Sequence, residues 1–272
     1  MVKQAIIPLA GLGTRLLPLS SVIPKELLPI NGKPNLEYIM DECIEAGIKQ
    51  FIFVIPKNRQ SIKKYFFNDN FYKKIIKKKK NDTRLKKIYK RIKRYQKMIK
   101  FVYQNKPEGT GHAVLQCKKY LKGSHFLMLL ADDLILKKNC SSEMISLHKK
   151  TKGAVIATKR VKAKTVSRWG ILGFKNKTKN SFLINEVIEK PKQSEAPSNF
   201  AIIGRYILPK KILSVLKNQK KGKGGEIHIT DAIKTLVKKN EKFYGNIFKG
   251  KYIDCGTLDG FINSGIIISK YL

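Results

Sequence analysis

Short apolar runs separated by stretches of helical period set the plan of this chain. Residues 3–9, 51–55 and 126–131 are apolar almost without interruption and lack the alternation of a half-exposed strand. That pattern predicts strands covered on both faces, as in a parallel sheet. Between the first two, Leu36, Ile39, Met40, Cys43 and Ile44 recur at the 3.6-residue period. Pro34 is placed to open this helix and Gly47 to close it. The three elements form a βαβ unit, for which a right-handed crossover is the rule.

The region from Lys57 to Lys106 contains neither Gly nor Pro. Leu85, Ile88, Tyr89, Ile92, Tyr95 and Ile99 mark one face of a helix over about 83–97, and Ile99–Tyr103 forms the next strand. Further helices are expected near 111–121, 209–217, 228–239 and 257–270. Short strands are expected near 153–158, 171–174, 183–188 and 200–208, and another ends at Tyr252–Gly256. No internal repeat or long linker divides the chain, so an α/β fold with two lobes fused into one unit is predicted.

A chain of 272 residues buries a core large enough to need no cross-links. Its four cysteines, Cys43, Cys117, Cys140 and Cys255, show no Cys-x-x-Cys spacing, which fits a reducing, cytoplasmic setting without a zinc site or disulfide framework. No apolar run reaches the roughly 18 residues of a membrane span. The apolar N-terminal run is broken by Gly13-Thr14-Arg15, so it does not read as a signal sequence.

The net charge of +38 invites a nucleic-acid reading. Residues 73–100 hold fifteen Lys or Arg against the single acid Asp82, a net +14, which leaves +24 on the rest of the chain. The excess is therefore spread, and it is mostly Lys, whereas specific readers of nucleic acid lean on Arg. Polyanions are attracted non-specifically to such a surface. The run Lys77–Lys80 reads as exposed helix or loop.

The candidate chemistry gathers where strands end. After the first strand comes Gly11-Leu12-Gly13-Thr14-Arg15, followed by Pro24-Lys25-Glu26. Glycines without a Cβ let backbone N–H groups approach an anion, Arg15 offers a rigid fork of donors, and Lys25 a mobile charge. The stretch lacks the third glycine of a dinucleotide fingerprint and the Gly-Lys-Ser/Thr ending of a P-loop, so an ordinary βα turn stays open as its alternative. A second glycine turn, Pro107–Ala113, follows Gln104. Asp132-Asp133 ends a buried strand at the edge where open parallel sheets bind ligands, so one of the pair is expected to face a cation. A helix cap or Asx turn remains open for Asp133. Histidine in a first helical turn, as at His112, reads as a structural hydrogen-bonder, Glu189 as either a ligand or a turn ion pair, and Cys255 as core.

Together, Leu9–Arg15, Pro24–Pro29, Gln104 with Gly109-Thr110-Gly111-His112-Ala113, Asp132-Asp133, Glu189-Lys190-Pro191 and Gly225–Asp231 resemble the bacterial UTP–glucose-1-phosphate uridylyltransferases, in order and at compatible spacings from residue 3 to about 270. Lys25-Glu26, where thymidylyltransferases usually carry Lys-Gln, and the stretch Ala196–Tyr206 favour the uridylyl branch. The resemblance implies a Rossmann-like nucleotidyltransferase fold with a mostly parallel central sheet flanked by helices. It implies a single domain over 1–272, with a nucleotide-binding half over about 1–135 and a smaller sugar-binding lobe with the C-terminal helix over about 136–272. The implied reaction is UTP plus glucose 1-phosphate giving UDP-glucose and pyrophosphate, with Mg²⁺, in a cytoplasmic homodimer or homotetramer.

Carried over by position, Ala10, Gly11, Gly13 and Thr14 would hold the nucleotide, and Arg15 and Lys25 the leaving pyrophosphate. Gln104 and the backbone at Gly109 would read the uracil edge. Asp132 would ligate the metal, with Asp254 as a second ligand. Gly170 and Glu189 would take sugar hydroxyls and Lys190 phosphate. Two positions depart from the family pattern: Ser21 stands where Lys is usual, and Thr110 where Leu is more common. A thymidylyl- or other sugar-1-phosphate nucleotidyltransferase is the alternative enzyme, and a basic nucleic-acid-binding protein on a degenerate enzyme fold the alternative of another class.

Overall fold

Ile6 and Ile7, neighbours in the first strand, point into two different apolar cores, one on each side of a nine-stranded sheet. Both faces being covered explains the missing alternation in that run. The computed structural model describes residues 1–58 and 60–270.

The first half runs β1 (Gln4–Pro8), a small hairpin of β2 (Pro29–Ile30) and β3 (Lys33–Pro34), α1 (Asn35–Glu45) and β4 (Gln50–Ile55). Helices α2 (Ser61–Phe67), α3 (Asp69–Lys78) and α4 (Thr83–Gln96) lead to β5 (Ile99–Tyr103), α5 (Thr110–Gln116) and β6 (His125–Leu129). The second half contains β7 (Asp133–Leu136), α6 (Cys140–Thr151), β8 (Ala154–Arg160), β9 (Gly170–Lys175), β10 (Ser181–Glu189) and β11 (Phe200–Pro209). It closes with α7 (Ile212–Asn218), α8 (Ile229–Lys238), β12 (Phe243–Ile247), β13 (Lys251–Asp254) and α9 (Leu258–Ser269).

Across the sheet the order is β5-β4-β1-β6-β11-β8-β12-β10-β9. The first four strands are mutually parallel. β11 then runs antiparallel to both β6 and β8, and β10 runs antiparallel to β12 and β9, while β12 is parallel to β8. The loops that leave β1 and β6 at their carboxyl ends therefore open side by side.

Local signals explain most element ends. Gly47 follows the C-cap of α1 at φ 88°, a conformation that glycine adopts without strain. Asp82 caps α4 by accepting from the Leu85 N–H. Lys77 and Lys78 close α3, which buries no residue, and Lys79 and Lys80 follow it in an exposed turn.

Elsewhere tertiary packing decides. The helix expected to 121 stops at Gln116, and a single 3₁₀ turn, Lys118–Tyr120, takes up the remainder. β12, with the sequence Phe-Tyr-Gly-Asn-Ile, carries turn-forming residues within a strand. A Cβ on Gly245 would lie 2.4 Å from the Phe182 ring of β10, so the glycine makes room for that ring.

Candidate active site

The loop after β1 turns at Gly13, which holds φ 68°, ψ 31° as the cap of a short 3₁₀ helix, Thr14–Leu16. The Ser20 hydroxyl donates to the Gly13 carbonyl at 2.8 Å. A Cβ at Gly13 would lie 3.2 Å from Ser20 Cβ and 3.6 Å from Lys25 Cδ, so the glycine both makes the turn and lets Lys25 pass. Ser21 does not point a charge at this loop; its hydroxyl donates to the Pro18 carbonyl.

Lys25 crosses to Asp132, with Nζ 2.6 Å from Oδ2. Arg15 leans over the same carboxylate at 3.6 Å and over Asp254 at 3.9 Å. Burial alone would lower the Lys25 pKa, but the charges of Asp132 and Glu26 outweigh it and the net shift is upward. Burial pushes Asp132 the other way, toward the neutral acid, and Lys25 overcomes this to keep the carboxyl below its ordinary range. At Asp133 burial and then the charge of Asp132 outweigh the opposing pull of Tyr252, Arg205 and the Gly204 N–H, and raise its pKa to about 6.

Asp132 lies in the turn between β6 and β7 and Asp254 ends β13, and they meet across Gly256. A Cβ there would lie 2.8 Å from Asp132 Oδ2, 3.1 Å from Asp254 Oδ1 and 2.9 Å from an Arg15 nitrogen. The described residues contain no cluster of three or more His, Cys, Asp or Glu able to cage a metal. Two carboxylate donors around a space that a methyl group would fill suit a hard cation such as Mg²⁺, which keeps water and phosphate oxygens in its shell.

Beside this pair lies a cleft of about 450 Å³. Ala10, Gly11, Gly13, Thr14 and Lys25 line one wall, Gln104, Gly109 and Thr110 another, and Asp132 stands between them. Eight of the expected site residues, with Thr110 beside them, thus share one cavity, and Arg15 stands over Asp132 at 3.6 Å. Gln104 is buried, and its Nε2 donates toward the Gly109 carbonyl at 3.4 Å. Gly109 holds φ 99° against the backbone of Ile227, where a Cβ would come within 2.7 Å of the carbonyl oxygen. Thr110 uses its hydroxyl to accept from the Ile229 N–H at 3.3 Å, tying the turn to α8.

The sugar-side positions form a second group. Gly170 and Glu189 are register partners across β9 and β10, and a Cβ on Gly170 would lie 3.1 Å from Glu189 Oε2. Lys190, at φ 46°, donates its N–H to the Trp169 carbonyl, and its ammonium lies 3.7 Å from Glu189. This group does not line that cleft. A bridge joins the two: the Trp169 ring packs edge-on against Tyr252, whose hydroxyl donates to Asp133 at 2.6 Å.

Asp133 is neither a helix cap nor an Asx turn. It begins β7 and accepts from Tyr252 and from the Gly204 N–H, both remote in sequence. Beneath it lies an ion pair absent from the sequence reading: Arg205, wholly buried, bonds Glu42 at 2.9 Å and the Asp133 carbonyl at 2.6 Å. Glu42 in turn accepts from the Ser141 N–H and hydroxyl. A charged residue inside the apolar run Phe200–Pro209 was the one available signal. His112 is a structural hydrogen-bonder, as its position suggested, with a ring nitrogen at each side facing Gln104 and Gln116. Cys255 is core, and burial raises its thiol to about 12.

The family model of the nucleotidyl transferases matches residues 4–268. A protein of Staphylococcus saprophyticus named UTP–glucose-1-phosphate uridylyltransferase 2 is 36% identical over 266 residues, which are 97% of this chain and 91% of that one. A protein of the same name from Streptococcus pyogenes is 36% identical over 271 residues, 97% and 89% of the two chains. Among solved structures, a UDP-glucose pyrophosphorylase complexed with UDP-glucose aligns over all of both chains at TM-score 0.88 and 33% identity. A UTP-bound UGPase from Acinetobacter baumannii aligns at TM-score 0.88 and 33% identity, covering 98% of this chain and 93% of that one. Similarity of this extent over the whole fold places the chain in the nucleotidyl transferase family, among the UTP–glucose-1-phosphate uridylyltransferases.

Proposed function

We propose that the chain transfers UMP from UTP to glucose 1-phosphate, giving UDP-glucose and pyrophosphate, with Mg²⁺ as cofactor. The observation that carries this reading is the convergence of the Gly11–Gly13 loop, Lys25, Gln104 and Asp132 on one cleft. The nucleotide would lie with its base toward Gln104 and Gly109 and its phosphates along Gly11, Gly13 and Thr14. Arg15 and Lys25 would draw the departing pyrophosphate, and Glu189, Gly170 and Lys190 would hold the sugar phosphate.

The chemistry asks for positioning and charge neutralisation rather than a protein nucleophile. An ionised sugar phosphate attacks the α-phosphorus in line, and negative charge moves to the leaving group. Arg15 and Lys25 meet that charge with donors already in place. Asp132 and Asp254 would hold Mg²⁺, which when bound neutralises phosphate charge. No general base is needed, because the attacking oxygen carries no proton.

In this reading about 1–135 is the nucleotide-binding half of a single domain and about 136–272 the sugar-binding half. A cytoplasmic site is supported by four buried cysteines without disulfides. A homodimer or homotetramer is supported by the aliphatic row Leu258, Ile262 and Ile266, about half exposed along α9. The direct test is pyrophosphate release from glucose 1-phosphate and Mg²⁺ with UTP, dTTP, ATP or GTP. UTP is expected to be preferred, and a preference for dTTP would overturn the assignment in favour of a thymidylyltransferase.

A further inference from the structure

Two glutamine amides grip the His112 ring from opposite sides. Gln104 Nε2 lies 2.9 Å from Nδ1, and Gln116 Nε2 lies 2.8 Å from the ring Nε2. A neutral imidazole has one donor and one acceptor nitrogen, so the two amides cannot both present NH₂ groups to it. A half-turn of an amide exchanges its ends, and surrounding partners decide between them.

The Gly109 carbonyl decides here. It can only accept, and it lies 3.4 Å from Gln104 Nε2. The NH₂ end of Gln104 therefore faces both Gly109 and His112. Nδ1 of the histidine is then the acceptor, its proton sits on Nε2, and Gln116 turns its carbonyl oxygen to that proton. Glu108, 3.5 Å from Nδ1, is the group that would draw a proton to the wrong side, and Lys221 holds it at 2.8 Å.

This order matters because of what a pyrimidine edge offers. Uracil presents an N3–H donor beside the O4 acceptor, whereas cytosine presents an N3 acceptor beside N4–H donors. A glutamine that turns freely satisfies either, since it carries a C=O and an NH₂ side by side. With both N–H bonds of the Gln104 amide spent on Gly109 and His112, only its Oε1 is left to face the base, where it accepts from uracil N3–H but meets the bare lone pair of cytosine N3.

We propose that His112 is a positioning residue that locks the Gln104 amide in the uracil-reading orientation, with Gln116 holding the histidine tautomer. The inference rests on the reading of Gln104 as the base contact. It names a competitor, a cytidine nucleotide, that the site must reject by orientation rather than by shape.

The test is steady-state kinetics with glucose 1-phosphate and either UTP or CTP, on the wild type, His112→Phe, Gln116→Leu and Gln104→Ala. His112→Phe keeps a ring and removes both nitrogens. It is expected to lower the UTP:CTP ratio of kcat/KM about tenfold, the scale of one base hydrogen bond gained or lost. The change is expected through a higher KM for UTP and a lower one for CTP, with kcat on UTP little altered. Gln116→Leu, one helical turn further on, should shift the ratio in the same direction by less. An unchanged ratio in both variants, with a collapsed ratio in Gln104→Ala, overturns the lock and leaves the Gln104 reading standing. An unchanged ratio in Gln104→Ala as well would remove Gln104 as the base contact, and this inference with it.

Discussion

Lys25 Nζ stands 2.6 Å from Asp132 Oδ2, so the cation proposed to draw pyrophosphate and the carboxylate proposed to hold a metal neutralise one another beside the cleft. Each sets the other's charge: Lys25 keeps Asp132 ionised against burial, and Asp132 keeps Lys25 protonated. Lys25→Met leaves Arg15, more exposed and 3.6 Å away, as the remaining side-chain cation on the carboxylate among the described residues. The expected loss in pyrophosphate release is on the order of 10²-fold, as for removal of one preorganised charge donor. Because the Asp132 pKa rises without Lys25, the acid limb of the residual activity should move to higher pH. An acid limb that stays where the wild type has it would show that the pair does not control the carboxylate.

Gly256 separates the two acids proposed to share an ion. Its backbone is outside the left-handed region, so alanine fits the chain, but the added methyl would press on Asp132, Asp254 and Arg15 at 2.8 to 3.1 Å. All three neighbours are side-chain tips, which yield by moving apart. Gly256→Ala should therefore leave the melting temperature within about 2 °C, the range of a change without buried consequences. The Mg²⁺ concentration giving half activity should rise several-fold. A magnesium titration that overlays the wild type would mean that Asp132 and Asp254 do not bind one ion together.

Arg205 holds the Asp132 loop from below. It donates to the carbonyls of Leu130, Gly204 and Asp133 while pairing with Glu42. Arg205→Met leaves Glu42 buried without a counter-charge, and the expected loss is about 3–5 kcal/mol in urea unfolding. Adding Glu42→Leu removes the orphaned charge and should restore part of that stability. Activity should not return with it, because the loop carbonyls remain without their donor. Equal stability in the single and double variants would show that the pair is not coupled.

Much of the architecture is legible in the order of residues. The strand Ile99–Tyr103 falls on its expected residues, and α4 ends one residue short of its expected end, because local pattern alone sets both. Asp132 and Asp254, far apart in the chain, are both expected at the site from the resemblance, and the fold brings their carboxylates to either side of Gly256. What stayed hidden depends on partners brought by the fold. Glu42, between Asp41 and Cys43 on a helix, carries no local mark of burial, and its pairing with Arg205 on β11 places it in the core. Asp133 reads as a turn former by type, yet the Gly204 N–H and the Tyr252 hydroxyl claim both its oxygens. α3, which buries nothing, and β12, whose glycine serves a neighbouring ring, carry too little pattern of their own to be found.

At the opposite edge of the sheet, His125 and His148 bring their rings within 4.6 Å of each other. His148 Nδ1 donates to the Gly153 carbonyl at 2.7 Å, which fixes that ring. Burial and then the charge of His148 lower the His125 pKa; Lys211 and the N-terminal amine act in the same sense, and Glu241 opposes them. A base whose folded pKa lies below its unfolded value of about 6.5 takes up protons more readily when unfolded. Its contribution to stability is therefore present above that pH and declines as pH falls toward the folded value. Urea midpoints at pH 8, 6.5 and 5 should drop more steeply for the wild type than for His125→Phe, which cannot protonate. Parallel profiles would show that His125 titrates in the folded chain as it does in the unfolded one.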